Sequence, residues 1–336
     1  MRRLVVLILA LILALGGPSV IPAQDATPGA MGPSMLSQLG LPELRLAVTA
    51  DGALQAPAEV PAGQLLLVLD NQSQNFAGFT VIQPPEGTSM EEAMMVLGPP
   101  PAPASPEAGA SPVAEGGEEE MGPPPPLFYE MTWAGGVFAP PGAIAEVVIS
   151  VSPGEWLLAG DPESGIPPTP IQVTGEMAAA AEIPADGEVE LNKNFQFILP
   201  EQISAGQQVW KVTNSGEQPH EMFVSRTPRR LTLDEVKILL ELPEDELPPE
   251  GVPNPAEFVE VGSIAPISKD QTVYAEFNLE PGAYVAVCFM PDKETGLPHA
   301  LKGMIVVFEV PEEGGTVEPP ASPMPEEDHD MGTPTS

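Results

Sequence analysis

The stretch AGQLLLVLDN, residues 62–71, has a counterpart in AGQQVWKVTN, residues 205–214. The agreement continues downstream, where PGEWLLAGDPESGIPP (153–168) aligns with PGAYVAVCFMPDKETGLPH (281–299) if three residues are allowed as a gap. Self-similarity over segments of this length is typical of a chain that repeats one structural unit. We therefore predict two copies of a single fold.

Within each copy the pattern predicts β-strands, because short runs rich in β-branched and aromatic residues are bounded by Gly, Pro, Asn or Asp. In one of them, residues 271–279, Val273, Ala275, Phe277 and Leu279 alternate with polar neighbours, as in a strand with one buried face. The predicted strands of the second copy are QQVWKVTN (207–214), HEMFVSR (220–226), QTVYAEFNL (271–279), AYVAVCFM (283–290) and GMIVVFEV (303–310).

One helix is predicted in each copy. TLDEVKILLEL (232–242) begins with Thr232 as N-cap, and Glu235 completes a capping box. TSMEEAMMVL (88–97) is its counterpart in the first copy. The predicted fold class is therefore all-β, with two Greek-key β-sandwiches in tandem that each carry one short helix.

Composition divides the rest of the chain. A basic start, an apolar run too short to span a bilayer comfortably and a small-residue region predict a signal peptide, and hence a soluble, extracytoplasmic mature protein. Segments rich in Pro, Gly and acid predict a disordered loop and tail. The predicted boundaries are a signal peptide at 1–23, a first domain at 42–175 with a disordered insertion at 98–126, a linker at 176–187, a second domain at 188–310 and a disordered acidic tail at 311–336.

The charge of the chain excludes nucleic acid as a partner. Twelve basic and 48 acidic residues give a formal charge of −36, which repels nucleic acid and anionic lipid. The hydrophobic fraction of 43% is sufficient for a core in each domain.

A comparison of the two copies identifies candidate metal ligands. The second copy has four side chains with soft or borderline donors that the first copy lacks: His220, Cys288, His299 and Met304. The positions aligned with the first three are Ala77, Gly160 and Pro168. Thiolate and thioether favour Cu(I), and imidazole binds copper in both oxidation states, so this set is suited to a mononuclear copper centre for electron transfer.

These residues resemble the cupredoxins, the family of blue copper proteins. The similarity rests on VTNSGEQPH (212–220) and on CFMPDKETGLPHALKGM (288–304), and it covers most of residues 187–310 and, in degraded form, residues 42–174. It implies two cupredoxin-like domains, of which the second alone holds one type 1 copper ion. By this resemblance His220, Cys288 and His299 are the equatorial ligands, Met304 is the axial ligand, and the thiolate gives the blue colour.

The chain departs from the family pattern in the length of the Cys288–His299 loop and in the residue after His220. Ten residues separate Cys288 from His299, a longer loop than in small cupredoxins, so a looser ligand loop is expected. Many family members have Asn after the first histidine to tie the ligand loops together, and Glu221 stands there in this chain. The resemblance therefore leaves open what orients the ligand loops here.

Three functions remain open at this level. The first is one-electron transfer with an exported redox partner, and the second is copper transport or storage with the same ligands. The third is a surface binding or structural module without metal, and a zinc or mixed-metal site is a further alternative. An enzyme is not expected, because His329 is the one histidine left over and a second catalytic copper needs several more.

The resemblance also implies where a partner docks. In cupredoxins an exposed histidine within an apolar collar is the exit for electrons, which assigns that role to His299 with Leu297 and Leu301 beside it. Nine of the ten Lys and Arg residues after position 23 lie between Lys193 and Lys302. Two roles are open for the basic residues Arg226, Arg229, Arg230 and Lys302: a docking rim for an anionic partner, or solubility alone. The expected partner is an exported redox protein or respiratory component, no small-molecule substrate is expected, and the chain is expected to be a monomer.

Overall fold

The computed structural model describes residues 34–98, 122–161, 164–243, 246–312 and 320–322. In the first half its strands are β1 (Glu43–Val48), β2 (Leu54–Gln55), β3 (Glu59–Pro61), β4 (Gly63–Asn71), β5 (Ala77–Gln83), β6 (Thr132–Ala139), β7 (Ile144–Val151), β8 (Gly154–Gly160) and β9 (Thr169–Thr174). In the second half they are β10 (Gly187–Leu191), β11 (Phe197–Ile198), β12 (Gly206–Asn214), β13 (His220–Thr227), β14 (Val259–Ile267), β15 (Thr272–Leu279), β16 (Gly282–Val287) and β17 (Ile305–Val310).

The strands form two sheets that face each other, and both halves contribute to each sheet. One sheet has the order β11-β10-β12-β15-β7-β4-β1-β2, and the other has the order β17-β16-β13-β14-β6-β5-β8-β9-β3. Each half on its own is a β-sandwich, with β12 parallel to β10 in the second half as β4 is to β1 in the first. The all-β prediction is confirmed.

The predicted alternation is also confirmed, because Val273, Ala275, Phe277 and Leu279 of β15 are all buried. They share one core with Trp210 of β12 and Phe308 of β17. The strand predicted to continue to Met290 ends earlier, at Val287. From Cys288 the chain leaves the sheet and begins the loop that leads to His299.

The two halves join edge to edge. In one sheet β15 pairs with β7 through Tyr274↔Val148 and Ala275↔Val147, and in the other β14 pairs with β6 through Ile267↔Ala134. Gly135 makes the close approach possible, since an added Cβ there would lie 2.7 Å from Val273 Cγ1, and its φ of +98° is favourable for glycine. The sequence did not predict this continuity.

The helices are α1 (Met90–Leu97), α2 (Pro126–Glu130) and α3 (Leu233–Glu241). The capping box of α3 is confirmed, because the Thr232 side chain accepts from Glu235 N and the Glu235 side chain accepts from Thr232 N. Helix α2 begins at Pro126, the last residue of the segment predicted to be disordered, so an ordered helix starts at its edge. Proline is favourable at this first helical position, where no backbone donor is needed.

Several predicted segments lie mainly outside the described residues: the signal peptide at 1–23, most of the insertion at 98–126, and most of the tail at 311–336. Ala321 of the tail nevertheless forms an antiparallel bridge with Val307 of β17. The linker at 176–187 has no strand until Gly187, although Ile183 packs into an apolar cluster with Val148 and Val209. Within the described residues, no helix is long and apolar enough to cross a membrane.

Candidate metal centre

Three of the four predicted ligands meet at one end of the second half. His220 is the first residue of β13, Cys288 directly follows β16, and His299 opens a 3₁₀ turn, His299–Lys302. Strands β13 and β16 are hydrogen-bonded neighbours, with Phe223 opposite Val287, so their ends bring His220 and Cys288 together. The polypeptide after β16 then returns His299 to the same point.

The donor atoms have the spacing of a single-ion site. The distance is 3.0 Å between His220 Nδ1 and His299 Nδ1 and 3.5 Å between Cys288 Sγ and His299 Nδ1. The donor atoms of the three residues all lie within 4.8 Å of one another. Metal–nitrogen bonds of about 2.0 Å and metal–sulfur bonds of about 2.3 Å in a tetrahedral arrangement place such donors roughly 3.3 to 3.6 Å apart. The three residues therefore fit a first-row transition metal.

The described residues of the first half have no such arrangement. Across the described part of the chain, His220, Cys288 and His299 form the one group of three or more His, Cys, Asp or Glu side chains close enough to hold a metal. At the aligned position, the buried Ala77 begins β5 where His220 begins β13. The ligand group therefore belongs to the second half.

The loop before His220 is fixed by Asn214. Its amide donates to Gln218 O at 2.8 Å and to Ile267 O at 2.7 Å, and its carbonyl accepts from Gly216 N at 2.7 Å. An added Cβ at Gly216 would lie 2.5 Å from His220 Nε2, so a glycine is needed here. In the first half, Asn71 binds its own loop in the same way and is also fully buried.

Cys288 is fully buried, and burial raises the pKa of its thiol well above the usual value. The charge of Glu221 acts in the same direction, while backbone hydrogen bonds from Glu221 and Met290 favour the thiolate. Without a metal the thiol is therefore protonated. A bound metal would displace that proton, because the thiolate is the form that coordinates.

The two histidines are neutral for the same reason. Burial lowers the pKa of His220 to about 4 and that of His299 to about 2. A hydrogen bond to the backbone of Asn192 acts in the opposite direction on His220, and this bond orients the ring so that its Nδ1 faces His299. Neutral imidazole is the form that binds a metal.

His299 is not exposed, contrary to the expectation from the family. Its side chain is 0% accessible, and its Nε2 has no hydrogen-bond partner among the described residues. The ring of Phe195 covers it with a centroid distance of 4.7 Å, and Lys302 Nζ lies 4.8 Å from the centroid of the Phe195 ring. An aromatic side chain therefore separates the predicted exit ligand from solvent.

The turn between β10 and β11 places this aromatic ring. Phe195 has a φ of +56°, an unusual conformation for a residue with a bulky side chain. The turn is closed by Asn192, whose side chain accepts from Asn194 N at 2.9 Å and from Gln196 N at 3.2 Å. The sequence reasoning did not identify Phe195, because nothing local to the turn indicates that it reaches the ligands.

Met304 is fully buried in the same core as Cys288. Its backbone connects the ligands, since Met304 N donates to His299 O at 2.9 Å and Met304 O accepts from Cys288 N at 3.2 Å. Its assignment as the axial ligand stays a prediction.

Glu221 ties two ligand segments together at the position where many family members have Asn. Its Oε1 accepts a hydrogen bond of 3.0 Å from the backbone N–H of Phe289, the residue after Cys288. Burial raises the pKa of Glu221 to about 8, so the carboxyl group is protonated at neutral pH. A buried carboxyl thus replaces the amide of the family pattern without losing the acceptor.

The long Cys288–His299 loop, expected to be looser, is held by hydrogen bonds and an ion pair at Asp292. The Asp292 side chain is 1% exposed, and Oδ2 accepts from Gln218 Nε2 at 3.0 Å and pairs with Lys302 Nζ at 3.1 Å. Its Oδ1 accepts from Thr295 N at 2.9 Å and from Thr295 Oγ1 at 2.8 Å. Burial acts against ionisation, but these bonds hold the pKa of Asp292 well below its usual range. A buried carboxylate thus connects the loop to the segments that carry both histidines.

The predicted docking residues do not lie on one surface. Leu297 is 36% exposed, Leu301 is partly buried, and Lys302 is engaged with Asp292, all close to His299. Arg226 is six residues along β13 from His220, roughly 20 Å at the usual rise of a strand, and is paired with Glu280. Because His220 begins β13 and Arg226 lies near the other end of the strand, Arg226 belongs to the opposite end of the second half.

Comparisons with known proteins give weak similarities. No protein-family model and no curated protein matches the chain. Among solved structures, a dithionite-reduced auracyanin from Roseiflexus castenholzii matches with a TM-score of 0.25 and 16% identity, over 37% of this chain and 95% of the auracyanin. A multi-copper oxidase from Pediococcus acidilactici matches with a TM-score of 0.20 and 14% identity, over 84% of this chain and 63% of the oxidase.

A copper-containing nitrite reductase from Thermus scotoductus matches with a TM-score of 0.21 and 11% identity, over 84% of this chain and 64% of the reductase. At TM-scores this low, the chemistry of the site has to be judged from its own residues.

Proposed function

We propose that this chain is an exported type 1 copper protein that transfers single electrons between redox partners. The observation that carries the proposal is the convergence of His220, Cys288 and His299 in a buried group with the donor spacing of a single metal ion. Met304 is proposed as the weak axial ligand, because its backbone is held by both Cys288 and His299.

The donor set favours copper over zinc. Two imidazoles with one thiolate and a thioether bind both Cu(I) and Cu(II), and the trigonal arrangement with a weak axial ligand is characteristic of electron-transfer sites. Structural zinc sites instead use four strong tetrahedral ligands, usually Cys and His. When bound, copper would supply the one-electron couple between Cu(I) and Cu(II).

The residues of the chain would keep the site rigid during electron transfer. Asn214 fixes the segment before His220, Glu221 holds the segment after Cys288, and Asp292 joins the loop to the histidine segments. Phe195 excludes water from His299. Because the ligands are held by contacts that do not involve the metal, little has to move when the charge on the centre changes, and the barrier to electron transfer is kept low.

No substrate is turned over at the metal in this proposal. His329 is the one histidine outside the group, and a second copper centre would need further histidines. The partner is proposed to be an exported redox protein or respiratory component, and the protein is proposed to act as a monomer outside the cytoplasm, after export by the signal peptide.

The test is the visible absorption and the reversible reduction of the Cu(II)-loaded protein. An intense thiolate-to-copper band is expected that bleaches with reductant, returns with oxidant and is absent from Cys288→Ser. His329→Ala is the matched control and should retain the band. Stoichiometric binding of Cu(I) without a coloured Cu(II) form would instead support the alternative of a copper carrier or store. Failure to bind copper in either state would overturn the proposal.

A further inference from the structure

We propose that the ligand-free first half positions the metal centre of the second half, through a segment that we call the clamp, residues 122–131. The inference rests on the proposed function in one respect: it takes Cys288 and His299, at the two ends of the loop, to be metal ligands. It assigns a role to the half of the chain that has no ligands.

The clamp contacts this loop at two points. Tyr129 Oη donates to Pro291 O at 3.1 Å. At the tip of the loop, an added Cβ at Gly296 would lie 3.0 Å from Pro123 N and 3.1 Å from Gly122 C, so the two backbones are in close contact. Gly296 also has a φ of +72°, which favours glycine. Both contacts join residues of the first half to loop positions that are three residues from the nearer ligand in sequence, Pro291 from Cys288 and Gly296 from His299.

The clamp is itself held in place at its C-terminal end, by both halves of the chain. Within the first half, Trp133 Nε1 donates to Phe128 O at 3.0 Å, and the two rings pack with a centroid distance of 4.7 Å. Ser268 of the second half accepts from Trp133 N at 2.9 Å and donates to Met131 O at 3.1 Å. Helix α2 is therefore fixed relative to the sandwich that binds the metal.

Hydrogen bonds connect the clamped part of the loop to the segments of both histidines. Asp292, the residue after Pro291, binds Gln218 in the segment before His220 and Lys302 in the turn that begins with His299. On the other side of Pro291, Met290 O accepts from His299 N at 2.8 Å. Movement of Pro291 would therefore be passed to both histidine segments.

The Tyr129 hydroxyl is suited to this role because it remains a donor. Burial, together with the charge of Asp292, raises the pKa of Tyr129 far above its usual value. The hydroxyl is therefore protonated over the whole physiological range, and the hydrogen bond to Pro291 O does not change with pH in that range.

The chain supplies a matched pair of variants for the test. Tyr129→Phe removes the hydroxyl that bonds Pro291 O, and Tyr284→Phe removes a hydroxyl that bonds Glu280 O in the second half, at the end of the sandwich where Arg226 lies. Each substitution deletes one oxygen and one hydrogen bond to a backbone carbonyl. The fold is retained in both cases because the ring stays in place.

The measurement is the rate at which a thiol reagent modifies Cys288 in the full-length, metal-free protein under native conditions. Cys288 is the one cysteine of the chain and is fully buried, so modification needs the loop to open. Tyr129→Phe is expected to raise the rate about two- to tenfold, the range that loss of one hydrogen bond gives. Tyr284→Phe is expected to leave the rate within error of wild type.

Equal rates for wild type and Tyr129→Phe would overturn the clamp, as would equal acceleration by both substitutions, which would indicate an effect on overall stability alone. Since no copper is present, the result does not depend on the proposed function. The absorption band of the Cu(II)-loaded Tyr129→Phe protein gives a second readout. A band shifted from that of wild type would support positioning of the ligands, and an unchanged band would contradict it.

Discussion

The carboxyl group of Glu221 accepts a hydrogen bond from the backbone N–H of Phe289, so the residues that follow His220 and Cys288 are tied together inside the core. Glu221→Ala would leave a buried N–H without a partner. We expect it to lower the free energy of unfolding by about 1 to 3 kcal/mol, the cost of an unsatisfied buried donor.

Glu221→Gln is the control for this prediction, because its amide oxygen can accept the same bond. Denaturant unfolding of the metal-free protein measures both variants. Equal destabilisation by Ala and Gln would show that the carboxyl group matters for a reason other than this bond.

Gly216→Ala is expected to weaken metal binding. The new Cβ would be 2.5 Å from His220 Nε2, so the imidazole has to turn away from the position in which its Nδ1 faces His299. A disturbed ligand orientation typically reduces metal affinity by about ten- to a hundredfold. Competition with a chelator of known affinity measures the loss, and Ser215→Ala serves as the neighbouring control. Unchanged affinity would mean that the loop relaxes without moving the ring.

Phe195→Ala is expected to expose His299 to solvent. In wild type the neutral ring is covered by Phe195, so its nitrogens should resist acylation in the metal-free protein. Removal of the aromatic ring should allow modification of His299, detected by mass spectrometry of the digested protein. Ile198→Ala, an exposed position on β11, is the control. Resistance of His299 in the Phe195 variant would assign its protection to other residues.

Asp292→Asn is expected to flatten the acid limb of the stability curve. The folded pKa of Asp292 lies below its value near 3.9 in an unfolded chain. Its ionised form therefore stabilises the fold above that pH, and this stabilisation is lost as the pH falls through the folded pKa. At neutral pH the variant should be less stable by about 1 to 3 kcal/mol, and the two curves should converge in acid. Asp234→Asn, at an exposed position in the first turn of α3, is the control for the loss of one exposed carboxylate.

The rate of electron exchange with an anionic inorganic complex is expected to depend on the charge at the end of the sandwich that holds His299. Lys193 lies in the Phe195 turn. The hydrogen bond from Lys269 lowers the pKa of Glu217, three residues before His220, and the charges of Lys293 and Lys193 act in the same direction. Lys193→Glu should slow the reduction of an anionic oxidant at low salt, and Arg226→Glu should have little effect, because Arg226 lies at the far end of β13. An equal effect of both substitutions would show that net charge alone determines the rate.

Much of the fold followed from local patterns. The alternation of Val273, Ala275, Phe277 and Leu279 predicted β15, and the Thr232–Glu235 capping box predicted α3, because strand alternation and helix capping are encoded in adjacent residues. The three converging ligands were identified because the second repeat has these residues and the first does not.

The features that were missed depend on contacts between residues far apart in sequence. Phe195 reaches His299 because β10 lies beside β12, and Tyr129 reaches Pro291 because β6 meets β14. The long loop is held by the buried Asp292. From sequence alone, an aspartate in a loop is expected to be a solvated charge. None of these pairings has a signature in either segment alone.

The pairing of β7 with β15 and of β6 with β14 has a consequence for how the gene could change. Deletion of either half would leave two strands with unpaired backbone groups along one side, and such open edges recruit other chains and promote aggregation. Each half therefore acts as the edge protection of the other. Loss of metal ligands from one half leaves these strand pairings intact, whereas loss of the whole half would expose both edges.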